Sequence, residues 1–598
     1  MKLITIFLLV ISVACTASVV AEKQFIRGVN IGGWLLAERF ITPYLFALNS
    51  CQLQGDWCFY PNQISAPPAS SQKHKYCDLY SCKPHLIETL TEDITKDYPT
   101  DEKTLLSSFP NKALAKEYMS FHWDNFVTKD DVKFLSEVAN VEYVRVPLPH
   151  YVMNDILDDE PWIDGQWLYF VRFVGWCRQY NINVWIDMHT TFGSQDGFEV
   201  TGESLPEASE CQHWITSPEN VNRSLDAIKD ISQAIMDDNL RDVVTGFGIL
   251  NSPFVNCPQT QIEKYSNDAF KIVRDIMGDN TAVYMTDSFN AANWNNGWWD
   301  DSNLHNNTYI DSHYYHVFNQ NERALSPKQH IAYTCAKLAK ETSSCCYEDH
   351  PKNTKPSNGV SRIVGEWSAA YDILPKEMVK EIMKEIQDPK NQMDQKVAMM
   401  ERTLSEERKE FLEHHVQAQM VSYESVDTGA SSGWFFYTLK MEGGAFAEWD
   451  FSRGVKEGWI PEIPDKYTNS ASLFGSCQEI AAKTIDNMNI VKQFPDPQKV
   501  KTRLGPAIDD DYVVSHAGGG NTGGSSRSTN NPNKDKSEPL EIPTSNNTLK
   551  KEKSRSFHWF RFFALVFFGY GIWHVFLKDQ YGFGRQRGEY NALRQMNI

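Results

Sequence analysis

The 598 residues predict an α/β chain built on a parallel (β/α)8 TIM barrel. Three observations point there. Short apolar runs recur eight times along the chain, the spacers between them carry helical periodicity, and one run, Ile363-Val364, delivers a carboxylate at Glu366 beside Trp367. Strands and helices that alternate over this length close into a barrel. Such a fold keeps its functional groups at the C-terminal ends of its strands, which is where Glu366 falls.

In chain order the runs are 25–28, 143–146, 184–187, 246–250, 282–286, 309–311, 362–364 and 433–436. The segment 166–180 shows why the spacers read as helices: Trp167, Phe170, Val171, Val174 and Cys177 recur at i, i+3, i+4 and i+7 and form one apolar stripe. More than a hundred residues separate the first two runs, and they include Cys51, Cys58, Cys77 and Cys82 and the polar run 67–75. A loop this long is either functional or disordered. The clustered cysteines favour a disulfide-rich insertion on the barrel rim, with zinc binding as the alternative. His414 and His415 are expected on a solvated helix face, and Met399 and Met400 in the core.

The ends of the chain differ from its middle. Lys2, the apolar run 3–13 and the small residues 14–18 have the layout of a secretory signal peptide over residues 1–21. The mature chain then sits in an oxidising compartment where cysteines pair. Twelve cysteines less Cys15 leave an odd number, so at least one thiol is unpaired in the monomer, and Cys177 on the apolar side of its helix is the candidate. The barrel domain occupies 22–504. Residues 505–556 turn to Gly, Asn, Ser and Lys, bury no core and read as a flexible tether. Residues 557–577 are apolar and aromatic, with His558, Arg561 and His574 near the ends, where they can snorkel. This predicts a single transmembrane helix, with an interfacial helix as the alternative. The tail 578–598 carries Lys578, Arg585, Arg587 and Arg594, and such basic residues face the cytoplasm. The layout is that of a single-pass type I protein of the secretory pathway, its barrel extracellular or lumenal. Sequons at Asn222, Asn306 and Asn546 are compatible with glycosylation. A formal charge of −19 and a pI near 5.3 argue against a nucleic-acid partner, whose phosphates would be repelled.

Five motifs follow one another in order: Gly28-Val-Asn-Ile-Gly-Gly-Trp34 within 24–43, Val144-Arg-Val-Pro147, Val184-Trp-Ile-Asp-Met-His189, Gly193-Ser-Gln-Asp-Gly-Phe198 and Gly365-Glu-Trp-Ser-Ala369. Together they resemble the fungal-type exo-β-1,3-glucanases of glycoside hydrolase family five, over residues 24 to 465. The resemblance implies a retaining site, with a nucleophile and an acid/base carboxyl roughly 5–5.5 Å apart. Glu366 matches the nucleophile. The acid/base is a Glu in an Asn-Glu-Pro context after the fourth strand, and this chain reads Asn251-Ser252-Pro253 there. Ser252 therefore stands at the acid/base position, with a hydroxyl whose pKa lies far above neutral.

By the same resemblance Arg145 and Asn251 brace the nucleophile and reach the sugar's 2-hydroxyl. His189, His313 and Tyr315 line the site. Asn30, Glu38 and Asn295, with Asn296, match sugar-contacting positions. The family's Trp-x-Phe-Trp-x-Trp-Lys becomes Trp434-Phe-Phe-Tyr-Thr-Leu-Lys440, so Trp434 stays and Tyr437 takes over the aromatic platform. Glu199, Glu203 and Asp287 are the carboxyls that could substitute for the missing acid. No cofactor and no metal are expected, since no His has ligand-like spacing with Asp or Glu. The 17 Trp, 25 Tyr and 33 Phe either fill a large core or stack on sugar faces. Two functions follow as expectations for a monomer: a membrane-anchored exo-β-1,3-glucosidase or transglycosylase acting on β-glucan through glycosyl-Glu366, or a barrel that grips glucan with little cleavage.

Overall fold

The computed structural model describes residues 24–48, 58–59, 75–76, 98–153, 155–205, 212–254, 257–289, 294, 307–335, 361–373, 404–425, 431–442 and 446–484. The chain separates into the units Met1–Gly518 and Gly519–Ile598, and every described residue belongs to the first. The expected signal peptide, tether, membrane helix, tail and Asn295 lie outside the described residues, as does most of the cysteine-rich insertion. Of that insertion two short parallel strands are described, Cys58–Phe59 and Lys75–Tyr76. Among the described residues no helix is long and apolar enough to cross a membrane.

Eight strands form a closed, all-parallel barrel: β1 Ile26–Asn30, β2 Tyr143–Leu148, β3 Asn183–Met188, β4 Val244–Gly248, β5 Ala282–Thr286, β6 Thr308–Tyr314, β7 Ser361–Trp367 and β8 Ser431–Phe436. Each of the eight apolar runs lies in or overlaps one of them. The strands extend further than the apolar runs because ladder pairing continues through polar residues. In β7 this carries the ladder past Gly365 to Trp367, where His313 pairs with Glu366. Glu366 is thus held by a strand rather than by the loop after it.

Period-two alternation divides the strand side chains between two environments. One set, Ile26, Trp185, Ala282, Tyr284, Ile363 and Phe435, packs together as a separate cluster from the strands themselves, the floor of the barrel interior. The other set meets the surrounding helices in the main core. Gly246 marks how tightly the interior is filled, since the Trp185 ring occupies the place of any side chain there. Above this apolar floor the inward positions become polar: Asn30, Arg145, Asp187 and Asp311, all buried. An apolar plug with a charged layer above it fixes where the chemistry sits.

Helix α1, Gln166–Gln179, buries Gln166, Phe170, Phe173, Val174 and Cys177. The stripe is rotated from the expected one: Phe173 turns inward, while Trp167 and Val171 are only partly covered. Trp167 lies at the edge because its indole N–H donates to Asp238 at 2.9 Å. Cys177 is a free, buried thiol. Helices α2, Pro218–Asp237, and α3, Gln259–Met277, begin with Pro218 at the first turn and Pro258 at the cap, where a missing N–H costs nothing.

Helix α4, Glu406–Tyr423, corrects one expectation. His415 is fully buried, and its ring packs against those of His316, His330 and Phe411. The helix is covered on a second side by Cys477–Lys483, which a disulfide ties to Cys335 across 142 residues of sequence. A helix packed on both sides has no free face for His415, whereas its neighbour His414 stays half-buried.

Candidate active site

Arg145 is the hub. It projects from β2 with no exposed surface, and its guanidinium reaches side chains of four other strands and of the turn after β4. Nη1 donates to Asn30 Oδ1 at 2.9 Å and to Glu366 Oε1 at 3.0 Å. Nη2 donates to Asn251 Oδ1 at 2.9 Å and lies 3.0 Å from Asp187 Oδ1 and 3.6 Å from Asp311 Oδ2. A planar fork serves this many acceptors at once where an ammonium could not. Three carboxylates around one guanidinium hold its pKa well above the usual value despite burial.

Glu366 has both oxygens engaged. Besides Arg145 on Oε1, Tyr315 donates its hydroxyl to Oε2 at 2.9 Å, and His313 Nδ1 lies 3.4 Å from the same oxygen. Burial pushes this carboxyl up, but His313, Arg145 and His189 outweigh it, and Glu366 ends below the ordinary range. It is therefore ionised at neutral pH while staying slightly accessible, at 8 % exposure, as an attacking group must be. Asn251 does not touch it directly in the way expected. The link between them passes through Arg145.

Two histidines stand beside this pair, each oriented by an aspartate two residues earlier on its own strand. His189 Nδ1 lies 2.7 Å from Asp187 Oδ2, and His313 Nε2 lies 3.2 Å from Asp311 Oδ2. Asp187 and Asp311 were not singled out in the sequence. Their signal was nonetheless there: Asp-x-His occurs twice at a strand end, and a spacing of two puts both side chains on one face. Asp311 also accepts the N–H of Gly365 at 2.7 Å, and its carboxylate fills the space that a side chain at 365 would need.

Ser252 lies in the turn after β4 with φ at +36°, a left-handed conformation that few non-glycine residues adopt. Gln195 props this turn, donating to the carbonyls of His189 at 2.8 Å and Asn251 at 3.1 Å. Ser252 Oγ meets His313 Nδ1 at 2.8 Å.

Glu38, from the loop after β1, joins the same site. Its Oε1 accepts from Gly33 N at 2.8 Å and from Tyr437 Oη at 2.6 Å. Burial raises its pKa to about 7, against the opposing pull of His189 and these hydrogen bonds. Tyr437 stacks on Phe40 and completes this wall.

Two expected sugar contacts need correction. Asn30 is fully buried, with its carbonyl on Arg145 and its amide on Gly365 O at 2.8 Å, so it braces β7 and the arginine instead of facing a ligand. Trp434 is also fully buried, edge-on to Trp367, with its N–H given to Glu424 at 2.8 Å. That leaves no ring face for a sugar. The three stand-in carboxyls are likewise engaged. Glu199 pairs with Arg39 at 2.8 Å and Glu203 with Lys103, while Asp287 accepts from Ser312 Oγ at 2.7 Å. Among the described residues no group of three or more His, Cys, Asp or Glu side chains is placed to hold a metal ion.

Residues 108–393 match the family model of Cellulase (glycosyl hydrolase family 5). The chain is 27 % identical over 450 residues to the glucan 1,3-beta-glucosidase of Yarrowia lipolytica, covering 73 % of this chain and 89 % of the relative. It is 26 % identical over 460 residues to the probable glucan 1,3-beta-glucosidase A of Aspergillus clavatus, covering 75 % and 90 %. Among solved structures, rutinosidase from Aspergillus niger overlays with a TM-score of 0.48 at 16 % identity, over 73 % of this chain and 98 % of that one. The barrel is that of a glycosyl hydrolase. The matched model and the relatives together show what the chain resembles: the family 5 glycosyl hydrolases, and among them the glucan 1,3-beta-glucosidases.

Proposed function

We propose that this chain is a retaining β-glucan hydrolase or transglycosylase that removes glucosyl units from β-1,3-linked chains through a glycosyl-Glu366 intermediate. The observation that carries this is the clamp on Glu366: one oxygen on Arg145, the other on Tyr315, the whole carboxylate buried and ionised. A pure sugar-binding barrel has no need of a carboxylate held in that way. The names of the relatives, glucan 1,3-beta-glucosidases, support the linkage.

In this reading Tyr437, Glu38 and His189 line the sugar pocket, and Asn251 reaches the 2-hydroxyl while Arg145 holds it in place. As the sugar transfers to Glu366, the leaving oxygen needs a proton, and Ser252 stands where the donor is expected. A second reading rests on that residue: a barrel that binds glucan and cleaves it very slowly. The two separate on leaving-group dependence, since acid catalysis contributes roughly 10²–10⁴-fold and matters least for a leaving group that departs unprotonated. Turnover of laminari-oligosaccharides at enzymatic rates without stimulation by azide supports the hydrolase. Turnover confined to dinitrophenyl glucoside and accelerated by azide supports the binding barrel.

The barrel domain, 22–504, is proposed to be delivered through a signal peptide and carried on the tether 505–556 by a membrane helix at 557–577, with glucan met outside the cytoplasm and the cysteine-rich insertion on the barrel rim. Support for this layout comes from composition: an apolar aromatic stretch preceded by a segment that can bury no core.

A further inference from the structure

The hydroxyl at the position expected for the acid/base carboxyl has a histidine and an aspartate lined up behind it. Ser252 Oγ lies 2.8 Å from His313 Nδ1, and Asp311 fixes the far side of that ring at Nε2. The same Nδ1 lies 3.4 Å from Glu366 Oε2. These two legs confine Ser252 Oγ to within about 6 Å of the nucleophilic carboxylate, close to the roughly 5–5.5 Å that separates the two carboxyls of a retaining site. The left-handed turn at Ser252, propped by Gln195, aims the hydroxyl at that ring.

We propose that His313, acting through Ser252, supplies and recovers the proton of this reaction, so that a Ser–His–Asp chain does the work of the missing carboxylic acid. The proposal rests on Glu366 being the nucleophile. In the first step Glu366 attacks the anomeric carbon and the bond to the leaving oxygen breaks, its electron pair staying on that oxygen. The oxygen takes the Ser252 Oγ proton, Oγ takes the Nδ1 proton of His313, and the imidazolium becomes imidazole. In the second step water attacks the anomeric carbon and the electron pair returns to Glu366. The water proton passes to Ser252 Oγ, whose own proton returns to Nδ1.

The charges around the ring suit both halves. His313 faces Glu366 from β7, Asp311 on its own strand, Asp187 from β3, Asp287 from the end of β5 and the opposing charge of Arg145 from β2. Burial alone would lower the imidazole pKa, but Glu366 and Asp311 raise it on balance, which favours the protonated ring, the form that donates. Glycosylation of Glu366 removes the first of those two charges. That lowers the pKa of the ring, so the imidazole left by the first step stays neutral and free to take a proton in the step where a base is needed.

The test compares laminaritriose, whose leaving group is a sugar, with dinitrophenyl β-glucoside, on the full chain. Ser252→Ala is expected to lower kcat/KM for laminaritriose relative to the aryl glucoside by about 10²-fold or more. Equal losses on both substrates, no loss on either, or no laminaritriose cleavage by the unmodified chain overturn the relay. The unmodified chain offers an independent check in H2O–D2O mixtures. Two protons moving together give a bowed dependence of kcat/KM for laminaritriose on deuterium fraction, and a linear one contradicts the relay. Covalent labelling by a 2-deoxy-2-fluoro dinitrophenyl glucoside separates the two claims. Labelled Glu366 with an unaltered substrate ratio in Ser252→Ala removes the relay alone, whereas an unlabelled Glu366 in the unmodified chain removes the nucleophile and the relay with it.

Discussion

Replacing Arg145 with methionine removes the charge that holds the polar layer together while keeping most of the side chain's volume. The structure sets the scale. Arg145 is fully buried and contacts Asn30, Asn251, Asp187 and Glu366 at 2.9–3.0 Å. Each hydrogen bond to a charged group contributes roughly 1.5–3 kcal/mol, but the contributions do not add. The closer guide is the loss of one partner from a buried ion pair, about 3–5 kcal/mol, because it strands the remaining carboxylates. Arg145→Met is therefore expected to cost about that much at pH 7, measured by urea denaturation with tryptophan fluorescence. The pH dependence carries the diagnostic. Burial works against the charged forms of Asp187 and Glu366, yet both are held below the usual carboxylate range, with Arg145 among the causes. Their contribution to stability is complete above the unfolded values near 4 and is lost as pH falls through the folded ones. In the variant this contribution is gone and burial favours protonation. The gap between the two chains should be widest at neutral pH and should narrow below about pH 4. A loss under about 1 kcal/mol, or one that does not change with pH, would refute this account of the charged layer.

Glu38 gives the opposite sign. Its pKa is raised by burial to about 7, so the folded chain loses stability as pH rises from the unfolded value through the folded one. Glu38→Gln keeps an acceptor for Gly33 and Tyr437 and abolishes the titration. Its stability relative to the unmodified chain should rise by roughly 3 kcal/mol between pH 4.5 and 8, and a flat difference would show that Glu38 titrates normally. Reducing the Cys335–Cys477 disulfide, which closes a loop of 142 residues, should lower the stability of the barrel by about 2–5 kcal/mol, read as a drop in Tm with reductant. The mature chain should partition into detergent while residues 22–504 alone stay in the aqueous phase. Equal partitioning would remove the proposed membrane helix.

All eight strands could be read from the sequence because each carries an apolar run, and burial by helices outside a parallel barrel demands such runs. What escaped were features that depend on neighbours in space. The face that α1 buries was rotated because Trp167 found Asp238, a partner 71 residues away. His415 looked like a surface residue, but the rings of His316 and His330, from far earlier in the chain, close over it. In the site, Glu366, Ser252 and Arg145 were singled out through their motif contexts, by resemblance. Asn30 and Trp434 were assigned to the ligand because motifs mark a position without saying which way its side chain is spent. The structure gives Asn30 to Arg145 and Gly365, and Trp434 to Glu424. Asp187 and Asp311 went unread for a related reason: they act on His189, His313 and Arg145 rather than on any ligand, and only the layered barrel interior reveals that they converge.

The central claim is that Glu366 is an ionised nucleophile, and covalent trapping tests it most directly. The full chain is incubated with 2-deoxy-2-fluoro dinitrophenyl β-glucoside, whose fluorine slows both steps while its leaving group keeps the first step accessible without acid catalysis. Mass spectrometry of the digested protein should find one fluoroglucosyl unit on the peptide containing Glu366, with release of one equivalent of dinitrophenol, and Glu366→Gln should abolish both. Label on another carboxyl, or none while the sugar still binds, would contradict the account.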